Sequence, residues 1–165
     1  MGKRLFVAGV VTAALATIFL SSLFIRAPYL VLTNDQTGAL LFRHRIDEGD
    51  IFSVGYIHSV NRSPVTEVYQ IQQGRIVLTA LEFETFGAGM PTELEPGQTL
   101  THLPAGGFRI EGFYRVIGDL RYLIGHTADL TLHIDGRDVP LSTLDEAGQS
   151  VHIAFRRLTI WQRAF

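Results

Sequence analysis

The chain has 165 residues, enough for one domain of ordinary size and too few for two. Its 14 basic and 16 acidic side chains leave a formal net charge of -2, without the basic excess or stripe of a nucleic-acid binder. It has no cysteine, which excludes disulfides, thiolate metal sites, a cysteine nucleophile and a lipoprotein anchor.

Lys3 and Arg4 precede an apolar run, Leu5 to Ile25, interrupted only by threonine, serine and glycine. As a helix the run would reach about 31 Å, close to the hydrocarbon thickness of a bilayer. A cleavable signal peptide has a shorter apolar region followed by a small-x-small cleavage site. Here Ala27 is followed by Pro28, and the residue two before it, Ile25, is bulky. Residues 1–26 are therefore read as a retained membrane anchor rather than a signal segment, and residues 27–165 as a periplasmic β-domain. Lys3 and Arg4 stay on the cytoplasmic side. The expected location is the bacterial inner membrane, crossed once.

No helical period appears after Tyr29. Short β-branched and aromatic runs alternate with glycine, proline, asparagine and aspartate. Predicted strands are Tyr29–Leu32, Ala39–Ile46 and Ile51–His58, the last with Phe52, Val54, Tyr56 and His58 on one face. A hairpin is predicted from Val65–Gln72 and Ile76–Phe83 around Gln73-Gly74. Thr99–Leu103, Phe108–Glu111, Phe113–Ile117 and Tyr122–His126 are short strand candidates. Asp129–Ile134 and Val139–Leu141 flank a second hairpin at Asp135-Gly136-Arg137-Asp138. The final strand runs from Val151 to Trp161, and Arg156-Arg157 interrupts its alternation, which suggests a bulge. Many short strands with close turns predict an all-β fold, a small β-sandwich or partly open barrel, behind one N-terminal transmembrane helix.

Residues with chemistry concentrate between Tyr56 and Pro91. If Gln73-Gly74 is a two-residue loop, Glu67, Glu82 and Glu84 share a face with Tyr69, Ile71, Ile76 and Leu78. Such a set could act as acids, bases or hard-metal ligands. A type I′ turn, however, asks Gln73 for a positive φ that glutamine tolerates poorly. A three-residue loop slips the register and sends Glu82 and Glu84 to the face opposite Glu67. Both registers stay open, and strand carboxylates ordinarily belong on a solvated outer face.

His58 can be paired with Glu67 or Glu82 as a metal site or acid–base dyad, or it is a strand-end histidine bonded to a neighbouring loop. The other histidines are scattered and give no two-histidine zinc spacing. His58 and Ser59 point to opposite sides of a continuing strand, and no G-x-S-x-G elbow is present, which argues against a serine hydrolase. Gly87-Ala88-Gly89 is read either as an anion cradle or as a tight crossover that needs positive φ. No helical pattern follows it.

The string Tyr56-x-His58-Ser59-Val60, then Pro64-Val65-x-Glu67, then Phe86-Gly87-Ala88-Gly89-Met90-Pro91, resembles the bacterial domain-of-unknown-function family 1850. The resemblance covers most of the exported part, from Tyr29 to the last strand. Members of that family are small, carry an N-terminal hydrophobic segment and are encoded beside TAXI-type TRAP transporters. Those systems import small organic anions with an extracytoplasmic binding protein and a membrane subunit. The resemblance implies a transporter neighbourhood and supplies no catalytic residues.

The expectation is a non-enzymatic accessory protein that touches the membrane subunit, the binding protein or both, with no nucleic acid, cofactor or metal. Its binding surface would use Tyr56, His58, Ser59, Glu67, Glu82, Gly87 and Gly89. The alternative is a small-ligand or metal-binding module centred on His58, Glu67 and Glu82. A hydrolase using His58 with a carboxylate comes last.

Overall fold

The short alternating runs become eleven strands in a computed structural model that describes residues 2–23, 25–87, 89–91, 93–125, 129–159 and 161–163. A helix, α1 (Gly2–Ser22), comes first, with its side chains described only in part. The strands are β1 (Arg26–Asn34), β2 (Leu40–Arg45), β3 (Ile51–Ile57), β4 (Pro64–Gln72), β5 (Arg75–Phe83) and β6 (Thr99–His102). They continue with β7 (Phe108–Ile117), β8 (Leu120–Leu123), β9 (Thr131–Ile134), β10 (Arg137–Pro140) and β11 (Ser150–Thr159). One sheet has the order β2-β1-β11-β8 and the other β10-β9-β3-β4-β5-β7-β6. Neither sheet closes on itself, so the fold is a sandwich rather than a barrel.

The larger core cluster lies between the sheets. Leu30, Leu32, Val151 and Ile153 of the small sheet meet Phe52, Val54, Ile71 and Leu132 of the large one. Each fully buried aliphatic or aromatic side chain there stabilises by roughly 1.5–3 kcal/mol. The large sheet is wider than its partner. On its overhang Val65, Leu81, Phe83 and Ile110 form a second cluster, against which Met90 packs from the glycine-rich segment. That segment is thus a cover for apolar surface the small sheet does not reach.

Several boundaries differ from the sequence reading. The N-terminal helix ends three residues before Ile25. Ser21 and Ser22 donate back to the carbonyls of Thr17 and Phe19, and β1 must already be extended at Arg26 to pair with Thr159. Phe24 lies outside the described residues. Among the described residues no helix is long and apolar enough to cross a membrane.

Phe108–Glu111 and Phe113–Ile117 fuse into one strand, β7, through Gly112 at φ 88°. The strand predicted over Tyr122–His126 stops at Leu123, and His126 lies outside the described residues. No bulge occurs at Arg156-Arg157, because β1 and β11 keep one register from Arg26↔Thr159 to Asn34↔Val151. Alternation fades there because both arginines lie exposed beyond the buried stretch that ends near Ile153. The strand stops at Thr159, and Trp161–Arg163 forms a 3-10 turn.

The β4–β5 hairpin decides where the carboxylates go. Gln72 pairs with Arg75, so Gln73-Gly74 is a two-residue loop, with φ of 53° and 70° as a type I′ turn requires. Glutamine is held in this conformation by Glu48, whose carboxylate accepts the N–H groups of both Gln73 and Gly74. A bulge at Thr79 then shifts the register between Val68 and Tyr69, so that Glu67 faces Leu81 and Thr66 faces Glu82. One extra residue inverts the faces beyond it. The loop length is that of the first register, and the carboxylate faces are those of the second.

Candidate functional site

Glu67 does not take a solvated outer face. It follows Val65 and precedes Tyr69 on the inner side of β4, at the seam between the two core clusters. Here β8 forms the edge of the small sheet, and its short length leaves the inner face of β3 and β4 open. The opening is a cleft of about 500 Å³ lined by the end of β3 and its loop, by Glu67 and Tyr69, and by β8.

At its base the Glu67 carboxylate joins the two sheets. Tyr69 donates to Oε2 at 2.8 Å, and Tyr122 of β8 donates to the same oxygen. The two hydroxyl oxygens are 2.8 Å apart, so the three oxygens form a closed triangle. The Tyr56 ring stands beside Tyr122, with centroids 6.3 Å apart, and Phe52 stacks under Tyr69 at 5.2 Å. Burial, and then the Glu67 charge, push the Tyr56 hydroxyl up to about 12. Tyr69 is raised beyond the ordinary tyrosine range by burial and then by Glu67. Tyr122 is raised by burial, then by Tyr69 and Glu67. All three hydroxyls therefore remain protonated donors at neutral pH and none serves as a base.

His58 and Ser59 stand on the rim. The strand ends at Ile57, and the His58 ring caps the following turn, with Nδ1 accepting the N–H groups of Val60 at 3.3 Å and Asn61 at 3.2 Å. This arrangement assigns the ring proton to Nε2, which faces Gly89. His58 is thus the strand-end residue bonded to its own loop. Its accepting nitrogen is already engaged by backbone, and Ser59 lies exposed in the turn.

Gly87 and Gly89 belong to a second contact. A Cβ on Gly89 would sit 3.5 Å from His58 Nε2, and one on Gly87 only 2.5 Å from Asn61 Oδ1. Ser63 Oγ lies 3.2 Å from Thr85 Oγ1. The 58–63 and 85–89 loops are therefore zipped together, at 58 with 89, 61 with 87 and 63 with 85. Small residues are needed where the chains touch. Positive φ is confined to Gly89 among the described members of the glycine loop, and Ala88 lies outside the described residues.

Glu82 is not brought to the cleft. It faces away from Glu67 and accepts from Arg109, which also donates to Glu111 at 2.6 Å. Glu84 is exposed past the end of β5. Among the described residues no group of three or more histidine, aspartate or glutamate side chains is placed to hold a metal ion. Sequence reasoning missed Tyr122. Its partner is 55 residues away in the other sheet, and only the β8–β11 pairing at Val151↔Tyr122 places it. Tyr69 was visible as a same-face neighbour of Glu67, two residues on.

The sequence pattern of a family described as Domain of unknown function (DUF1850) matches residues 52–141, from β3 to the 3-10 turn after β10. No curated protein and no solved structure matches the chain.

Proposed function

The chain belongs to the DUF1850 family, and from that membership we propose a non-enzymatic accessory protein of a TAXI-type TRAP transporter for small organic anions. In this reading the apolar run Leu5–Ile25, which extends past the end of α1, crosses the bacterial inner membrane once and the sandwich stands in the periplasm. The apolar composition of that run and the Lys3 and Arg4 that precede it support the placement. Tethering confines the domain to the membrane plane and raises its effective concentration near the transporter's membrane subunit and extracytoplasmic binding protein.

One observation carries the non-enzymatic part. The reactive-looking side chains of the cleft are engaged in structural hydrogen bonds, Glu67 with two tyrosines and His58 with its own loop. His58 Nδ1 is thereby committed to backbone and cannot take a substrate proton without giving up its turn, while of Glu67 only Oε1 stays outside these bonds. What remains is a shaped cleft with an exposed rim at Ser59, Val60 and Leu123, suited to docking. A photo-crosslinking amino acid at Leu123 or Val60 of the full chain, in membranes that contain the transporter, tests this. Adducts with the membrane subunit or the binding protein are expected. Repeated absence of both, with the protein present at normal level, overturns the reading.

A second reading, a small-ligand module, is favoured by the cleft itself. Its site would be Tyr56, His58, Glu67 and Tyr122, without Glu82. Raised thermal stability of the full chain with a ligand is its expected signature.

A further inference from the structure

The chemistry of the cleft narrows what can enter it. Its floor is a half-buried carboxylate, Glu67, with one oxygen bonded by two tyrosine hydroxyls. Its walls include the rings of Tyr56 and Tyr122. The other charged groups at its lining are Asp119 and Arg121. Arg121 donates to Asp119 and, at 2.8 Å, to Asp35, so its charge is already answered twice. The cleft as a whole is negative. An entering anion would meet the Glu67 charge in a partly desolvated site, where like charges repel more strongly than in water. A cation would meet a counter-charge and aromatic rings, whose faces attract positive charge.

We propose that the Glu67 cleft binds a cationic alkylammonium or guanidinium group, with Glu67 as counter-ion and Tyr56 and Tyr122 as its walls. This rests on reading the cleft as a binding site and names the chemistry of what it takes. Tyr69 is a positioning residue, since it lies fully under the carboxylate and fixes Glu67 from below through its hydroxyl. The source of the cation is either a free small molecule or a lysine or arginine side chain of a partner protein.

The five tyrosines of the chain provide the readout. The full chain, with ring-labelled tyrosine and in detergent micelles, is titrated with methylammonium, methylguanidinium and, as the opposite charge, acetate. Saturable ring shifts are expected at Tyr56 and Tyr122 with both cations, while Tyr114, exposed on β7, does not move. Glu67→Gln, which keeps the shape and one acceptor oxygen for the two tyrosine hydroxyls, is expected to weaken binding by about tenfold or more. Tyr56→Leu, which touches no hydrogen bond of the triangle, is expected to weaken it a few-fold. A short arginine-containing peptide binding more tightly than methylguanidinium assigns the source to a partner side chain, and equal affinity assigns it to a free cation. Acetate shifting Tyr56 and Tyr122, no saturable response to either cation, or cation affinity unchanged in Glu67→Gln overturns the proposal. The crosslinking experiment is independent of these shifts, so the transporter reading and the cation reading fail separately.

Discussion

Replacing Tyr122 by phenylalanine removes one of two hydroxyls from a single carboxylate oxygen. Hydrogen bonds to a charged group are worth more than neutral ones, so Tyr122→Phe and Tyr69→Phe are each expected to cost about 1–2 kcal/mol of stability. The three oxygens form one triangle, so the remaining hydroxyl can turn fully onto Glu67 when the other is lost. The double variant, which removes the compensating hydroxyl as well, should therefore cost more than the sum of the singles by about 0.5 kcal/mol or more, measured by chemical denaturation. Additivity within a few tenths of a kcal/mol would show that the tyrosines act separately.

The same residues set an alkaline limit. The Tyr56 hydroxyl is raised from about 10 to about 12 in the fold, and Tyr69 and Tyr122 are raised in the same direction. A raised folded-state value means the folded protein holds the proton more tightly than the unfolded chain does. The stabilisation is therefore complete below about pH 10 and is lost as pH rises through about 12. Tyrosinate absorbance of these residues is expected to appear together with unfolding. Glu67→Gln removes the nearby negative charge, so the alkaline loss of stability should become shallower. An unchanged alkaline slope in that variant would mean that burial alone accounts for the shift.

At the scale of elements, the hairpin shows where the sequence was readable and where it was not. Strand runs, turn positions and the inner face of β3 followed from alternation and from Asp-Gly and Gln-Gly, because those signals are local. The face of Glu82 did not, because it depends on the extra residue Thr79, and nothing in a run of β-formers marks which residue will be left over. The Gln73 conformation was also hidden, since the carboxylate that holds it, Glu48, is 25 residues earlier in the chain. Glu48→Ala should destabilise the protein by about 1–2 kcal/mol, through two N–H groups left without their charged acceptor. Gln73→Asn should raise stability by about 0.5–1 kcal/mol, since asparagine adopts left-handed backbone with less strain. Thermal unfolding of the two variants checks both signs. If Gln73→Asn lowers the midpoint, the glutamine side chain, which accepts from Arg75 at 3.1 Å, matters more than its backbone.

For the whole molecule, the question is whether α1 is part of the fold or an attachment to it. The described members of both core clusters come from residues after 26. Among the described contacts between α1 and the sandwich is an aromatic edge, Phe19 against Trp161 at 5.7 Å. A chain beginning at Arg26 should therefore keep both sheets, with an unfolding midpoint within a few degrees of the full chain. Trp161 is the one tryptophan of the sequence, so it reports this contact alone. Its emission is expected to move to longer wavelength when α1 is removed, because the ring loses an apolar neighbour and gains water. If α1 is the tether, the full chain stays in the membrane pellet through an alkaline wash and the shortened chain is released. Loss of the folded state in the shortened chain would place α1 inside the cooperative unit and remove the reason for treating it as an anchor. Release of the full chain by the wash, with the fold intact, would leave the sandwich and its cleft as they are and take away the membrane.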